Sequence, residues 1–216
     1  MSGTVNHPRP VQQFQVFMLS ALVFALLPLL SFKTAPSHGP AKYPISWILS
    51  KACSLKVNGS TNINKFNCTI PDYPLPDTLT FSREKNTETI RISGAMVLEV
   101  KNFDCHHPIM TADLRKTLKV KEFPKITVTF ISLSKYPEHD NENITGTVTI
   151  QLAGATRRFE VDYRFTQQND ETLTLIGTKQ VNFSDFNITP PRKLGGMIKT
   201  NNELSVEFIL KARILK

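Results

Sequence analysis

The strongest constraint on this chain is an alternation of apolar and polar residues with a period of two. Phe159, Val161, Tyr163 and Phe165 are separated by Arg158, Glu160, Asp162 and Arg164 in the segment and its flank. Leu204, Val206, Phe208 and Leu210 alternate with Ser205, Glu207 and Lys211, and only Ile209 breaks the order. Successive side chains of a strand point to opposite faces, so this pattern predicts strands with one buried face.

The same parity runs through Ile90, Ile92, Met96, Leu98 and Val100, with Gly94 between them, and through Val148, Ile150 and Leu152. A glycine inside a long strand marks a bulge or sharp bend. Further strands are expected at Ser54 to Val57, Ile63 to Ile70, Thr78 to Ser82, Ile126 to Leu133 and Thr172 to Phe183. Met110 to Leu118 breaks the rhythm and reads as one short helix, with Thr111 as N-cap and Asp113 in the first turn, where the helix dipole favours an acid. So many one-faced strands must either stack as a sandwich or close into a barrel, and closure removes exposed edges. Periodicity alone leaves both open.

The first third of the chain carries a different signal. Val16 to Phe32 holds no charged residue, with Arg9 before it and Lys33 directly after. This run is longer than the ~7–15 apolar residues of a cleaved signal core and just short of the ~18–20 that span a bilayer. Residues 1–34 are therefore expected to be an export signal, or an anchor left uncleaved in the inner membrane with the domain held against it. Residues 35–44 are Pro-rich and read as a linker, and 45–216 as one domain. Location is periplasmic or secreted on the first reading.

Export makes disulfides feasible. Of the three cysteines, Cys68 and Cys105 are the favoured pair and Cys53 is then left over; the alternative is that all three are small buried residues. The formal net charge of +8 could attract nucleic acid, but Lys and Arg are scattered and interleaved with acids. A solvated polar face is the simpler account, and no nucleic-acid partner is expected. His106 and His107 follow Asp104 and Cys105 and precede Met110, yet neighbours on an extended chain point apart and no second His-rich segment answers them. No metal site is expected. Neither Gly-x-Ser-x-Gly, His-Glu-x-x-His nor a phosphate-cradling glycine loop occurs, and Leu194-Gly195-Gly196-Met197 reads as a turn, so no catalytic residue is assigned.

Several short motifs follow one another along the chain: Leu55-Lys56-Val57-Asn58-Gly59-Ser60-Thr61-Asn62, Met110-Thr111-Ala112-Asp113-Leu114, Phe123-Pro124-Lys125-Ile126 with Phe130, and Thr147-Val148-Thr149-Ile150. Gly154-Ala155-Thr156-Arg157, Ser184-Asp185-Phe186-Asn187-Ile188 and Val206-Glu207-Phe208 complete the set. In this order they resemble the YceI-like family of exported bacterial barrels, also called the polyisoprenoid-binding family, and the resemblance covers Ser46 to Lys211. Asn187 stands where the family commonly has Gly, and Asn is the residue that most readily takes a left-handed backbone in its place. Lys101-Asn102-Phe103-Asp104-Cys105 replaces the family's usual strand ending, which puts the shape of one barrel mouth in question.

The resemblance implies an all-β fold: an extended, lipocalin-like antiparallel β-barrel of about eight strands with one short helix. It also implies a central apolar cavity for a long isoprenoid, quinone or fatty-acid-like lipid, with no other cofactor. The parity stripes then supply the expected lining: Ile92, Met96, Leu98, Val148, Ile150, Phe159, Val161, Tyr163, Phe165, Val206, Phe208 and Leu210. The rival reading is a non-catalytic stress-response or interaction module whose barrel is filled by its own side chains. An outer-membrane barrel is disfavoured because aromatic girdles are not evident. Monomer and homodimer are both compatible with the sequence.

Overall fold

The structure, a computed structural model, describes residues 44–215 except 75, 84–86, 168 and 170. The expected export signal and all but the last residue of the expected linker lie outside the described residues. The chain forms β1 (Ile45–Leu49), β2 (Ser54–Ser60), β3 (Lys65–Ile70), β4 (Thr78–Arg83), β5 (Ile90–Ser93) and β6 (Ala95–Glu99). After helix α1 (Pro108–Thr117) come β7 (Lys125–Leu133), β8 (Asn143–Leu152), β9 (Ala155–Gln167) and β10 (Thr172–Asn182). A small hairpin of β11 (Arg192–Lys193) and β12 (Ile198–Lys199) precedes the last strand, β13 (Glu203–Leu215).

Neighbouring strands pair antiparallel in the order β1-β4-β5-β7-β8-β9-β10-β13-β2-β3, and β1 also pairs with β13, so the sheet closes. β13 meets β10 along one whole edge, from Asn182↔Glu203 to Thr172↔Arg213. Its other edge is shared by β2 over Ser205 to Ile209 and by β1 over Ala212 to Leu215. β1 with β2, β3 with β4, and β5 with β6 thus act as three broken long strands, and the architecture is a closed eight-stranded antiparallel barrel. The choice between sandwich and barrel falls to the barrel.

The breaks have local causes. Gly94 divides β5 from β6 with φ +142, and a Cβ there would lie 2.7 Å from the Thr78 carbonyl oxygen, so only glycine lets the strand bend against β4. Between β1 and β2, residues 50–53 bulge opposite Lys211. There the Cys53 thiol donates to the Lys211 carbonyl at 3.3 Å and accepts the Lys211 N–H at 3.3 Å, taking a place in the ladder. Cys53 is free and fully buried, and burial pushes its thiol pKa up. A thiol that is both buried and neutral is a poor nucleophile. Iodoacetamide is therefore expected to leave the native protein unmodified and to label Cys53 only in denaturant; rapid native labelling would contradict this packing.

Two expectations need correction. The helix begins at Pro108, two residues ahead of the expected start, with His107 as N-cap and proline at the first helical position, where its missing N–H costs nothing. Thr111 is thus not the cap; its hydroxyl accepts the Cys105 N–H at 2.9 Å from inside the first turns. Asp113 sits beyond the first turn and pairs with Lys193 Nζ at 2.6 Å. β1, for which no strand was expected, carries Trp47, which is fully buried, stacks 4.2 Å from Phe81 and donates through Nε1 to the Tyr136 hydroxyl at 3.2 Å.

Candidate functional site

The barrel has two unlike halves. At the end where β1 begins and β13 finishes, Trp47, Phe81, Ile90, Leu133, Phe165 and Leu173 pack the interior, each at most 2 % exposed. Toward the other end, where β2 and β10 finish and β13 begins, the core opens into a cavity of about 80 Å³.

Its walls are the inward residues of five strands, represented by Val57, Val128, Ile150, Val181 and Val206. Phe208 reaches into it from β13, its ring 5.7 Å edge-on from Tyr163, which lies behind it in the packed half. Gly177 makes room for this pair, since a Cβ there would stand 2.5 Å from the Phe208 ring and 2.8 Å from Tyr163. Burial alone pushes the Tyr163 phenol well above its ordinary range, so it remains neutral.

The cover over the cavity comes from outside the strands. Leu114 of α1 and Leu118, the residue that caps its C-terminus one turn further on, face it together with Phe103. Phe183 and Phe186 face it from a single 3-10 turn, Phe183–Phe186, that follows β10. That turn is built by its polar residues. The Asn182 N–H donates to Asp185 Oδ2 at 2.7 Å in a reciprocal capping box, and Asn187 ends the turn at φ 57, ψ 34. The left-handed position expected for Asn187 is thereby met, and the purpose of the Ser-Asp-Phe-Asn motif is to aim two phenylalanines inward.

A disulfide joins Cys68 of β3 to Cys105. Beside it, Thr69 and Asp104 exchange backbone hydrogen bonds, each 2.8 Å, and Arg115 of α1 donates to the Phe103 carbonyl at 2.7 Å. The segment that departs from the family's strand ending is therefore the tether of the cover.

Of the residues expected to line a cavity, Ile150, Val206 and Phe208 do so here. Met96, Leu98, Val148 and Val161, with Ile92, Tyr163, Phe165 and Leu210, are buried in the core outside the cavity wall. Phe159 is half-buried and packs 5.9 Å from Phe186, behind the cover. The expected lining did not include the strand residues Leu55, Val57, Ile126, Val128, Leu152, Val181 and Leu204, which lie on other inward-facing positions, nor Phe103, Leu114, Leu118, Phe183, Phe186 and Ile188, which lie outside the strands. The paired spacings Leu114/Leu118 and Phe183/Phe186 were the available signal.

The cavity surface is apolar throughout. Among the described residues that line it Asn182 alone is polar, and its side chain is engaged in the capping box. A site without polar partners does not hold ordered water, so the space suits an apolar occupant. His106 and His107 are exposed, and among the described residues no three His, Cys, Asp or Glu side chains gather in an arrangement that could hold a metal.

Fold and cavity together define the lipocalin-like class, up-and-down antiparallel barrels closed around an apolar interior. Residues 41–212 match the YceI-like domain, and the chain belongs to that family. Its structure is similar to that of BcnA from Burkholderia cenocepacia, with a TM-score of 0.55 and 15 % identity, over 76 % of this chain and 96 % of that one. It is also similar to a polyisoprenoid binding domain from Saccharophagus degradans implicated in plant cell wall breakdown, with a TM-score of 0.54 and 10 % identity, over 78 % and 97 % of the two chains. At these identities the likeness shows the fold. No curated protein sequence gives a significant match.

Proposed function

We propose that this protein is an exported carrier that holds the end of an apolar chain, an isoprenoid or similar lipid tail, in the covered half of its barrel. The carrying observation is the wholly apolar cavity beneath Phe183, Phe186, Leu114 and Leu118. A second depression, of about 260 Å³, lies outside it between α1, β3 and the β11–β12 hairpin, and Leu114 and Phe183 line both spaces. A chain passing between these two side chains would run from the outer groove into the cavity. The polyisoprenoid-binding function named for the structural neighbour agrees with this reading, as does the apolar run Val16 to Phe32, the basis for export. Among the described residues no helix is long and apolar enough to cross a membrane.

The energetics suit a chain of several isoprene units. Each isoprene unit buried yields roughly 4 kcal/mol at about 0.8 kcal/mol per carbon. Two or three units, about 8–12 kcal/mol, therefore offset much of the ~4–15 kcal/mol cost of association. The packed half limits the depth of entry, so the remainder of a long ligand lies in the groove and beyond. The role is binding, with the chemistry of any acyl or prenyl transfer left to other proteins.

Native mass spectrometry of the exported protein, paired with solvent extraction, tests this. The expected result is a stoichiometric apolar adduct that Val206→Trp, which fills the cavity, removes. A protein that carries no adduct and takes up neither isoprenoid, quinone nor fatty acid overturns the proposal.

A further inference from the structure

We infer that the rim of the covered mouth is a docking surface for an anionic lipid bilayer. Three segments distant in sequence meet there: the β2–β3 turn, the start of α1, and the β11–β12 hairpin. Each presents large aliphatic side chains to solvent. Ile63 is 65 % exposed, Ile109 66 %, Leu194 65 % and Met197 71 %. Singly exposed apolar residues are ordinary on a protein surface, whereas a cluster of them marks an interaction site.

The cluster is held rigidly. Thr61 and Thr200 form a backbone bridge, Asn62 Nδ2 donates to the Met197 carbonyl at 2.9 Å, and Asn62 Oδ1 accepts the Lys199 N–H at 2.8 Å. Lys193 joins the hairpin to Asp113 of α1 at 2.6 Å. At the hairpin tip Leu194 has φ 49, a left-handed conformation that a bulky residue rarely adopts. The fold thus holds an exposed aliphatic side chain in the turn of the hairpin.

Charge identifies the occupant. The same segments carry Lys65, Arg192, Lys193 and Lys199, all exposed, while their single acid, Asp113, is paired with Lys193. Protein–protein interfaces favour aromatic side chains and Arg and are depleted in Lys. Aliphatic tips among lysines instead match a bilayer, where the tips enter the acyl boundary and the cations meet anionic headgroups. The groove between α1 and β3 opens within this rim, so docking would place it against the membrane interior. Only that last consequence, transfer of a lipid chain, rests on the proposed carrier role; the docking itself stands on the rim.

An environment-sensitive fluorophore on Met197→Cys reports docking, with Leu215→Cys at the opposite end as the control. In the exported protein, vesicles of phosphatidylethanolamine and phosphatidylglycerol are expected to shift the Met197 label to the blue and leave the Leu215 label unchanged. Each cation near an anionic surface is worth roughly fivefold in partitioning, so Lys65→Gln with Lys199→Gln should weaken binding about 25-fold. The inference is overturned by an unshifted Met197 label, by equal shifts at both ends, or by equal binding to phosphatidylcholine. A shift that follows protein concentration without vesicles would assign the rim to a second copy of the chain, and a shift independent of both to the protein's own N-terminal segment; either overturns it. A protein that docks yet carries no adduct in the mass spectrum would refute the carrier role and leave the docking surface standing.

Discussion

A variant carrying Cys68→Ala and Cys105→Ala is expected to lose about 4 kcal/mol of stability, the loop-closure entropy of a cross-link across a sequence separation of 37. For a domain of this size that corresponds to a fall in Tm of about 8–16 °C. The loss should come with a loosened cover, because the bridge lies beside the Thr69–Asp104 pairing and the Thr111 hydrogen bond that fix the approach to α1. Thermal unfolding with and without reductant measures the first effect, and amide exchange across 103–118 the second. If the variant melts at the wild-type temperature, the bridge is no constraint on the unfolded chain. Protection lost uniformly over the barrel would show that it supports the whole sheet, and the mouth no more than the rest.

Phe208→Ala tests the floor of the cavity. Removing a buried phenylalanine ring costs about 3–5 kcal/mol, a loss that a domain with a typical ~5–15 kcal/mol of stability can survive. Because Tyr163 lies directly behind the ring, the vacated volume extends the cavity toward the packed half. The variant should therefore hold a longer apolar chain than the wild type, read as a shift of the adduct mass to higher values. Lower stability with an unchanged adduct would place the floor elsewhere. Adding Gly177→Ala to Phe208→Ala returns a methyl group to the space the ring vacates, and should shorten the bound chain again.

The strand pattern was legible because a half-buried strand must alternate. Val161, Tyr163 and Phe165, and Leu204, Phe208 and Leu210, are buried as the parity predicts, while Phe159, Val206 and the off-pattern Ile209 are partly buried. Gly94 announced its bend because no other residue tolerates that backbone beside Thr78. β1 was not legible: Ile-Ser-Trp-Ile-Leu is short, nearly all apolar and follows a proline, so no period of two distinguishes it. The helix start was misplaced because Thr111 has the chemistry of a cap, while proline at position 108 was the better signal of a first turn. The cavity was legible only in part. Parity names the inward face of a strand that alternates, but whether an inward residue meets a neighbour or a void depends on what stands across the barrel, and the sequence of one strand does not carry that. The cover was hidden for a second reason, since its residues come from a helix and a 3-10 turn whose apolar positions follow other spacings.

The unequal filling of the barrel has an evolutionary consequence. Trp47, Phe81 and their neighbours secure one half through dense contacts, so exchanges among the aliphatic residues around the void can alter its length and girth at modest cost to folding. On the proposed carrier role, selection can then retune which hydrophobic cargo is accepted while the anchoring half drifts little. Relatives should differ most in the volumes of residues matching Val181, Leu204 and Val206, and least around Trp47.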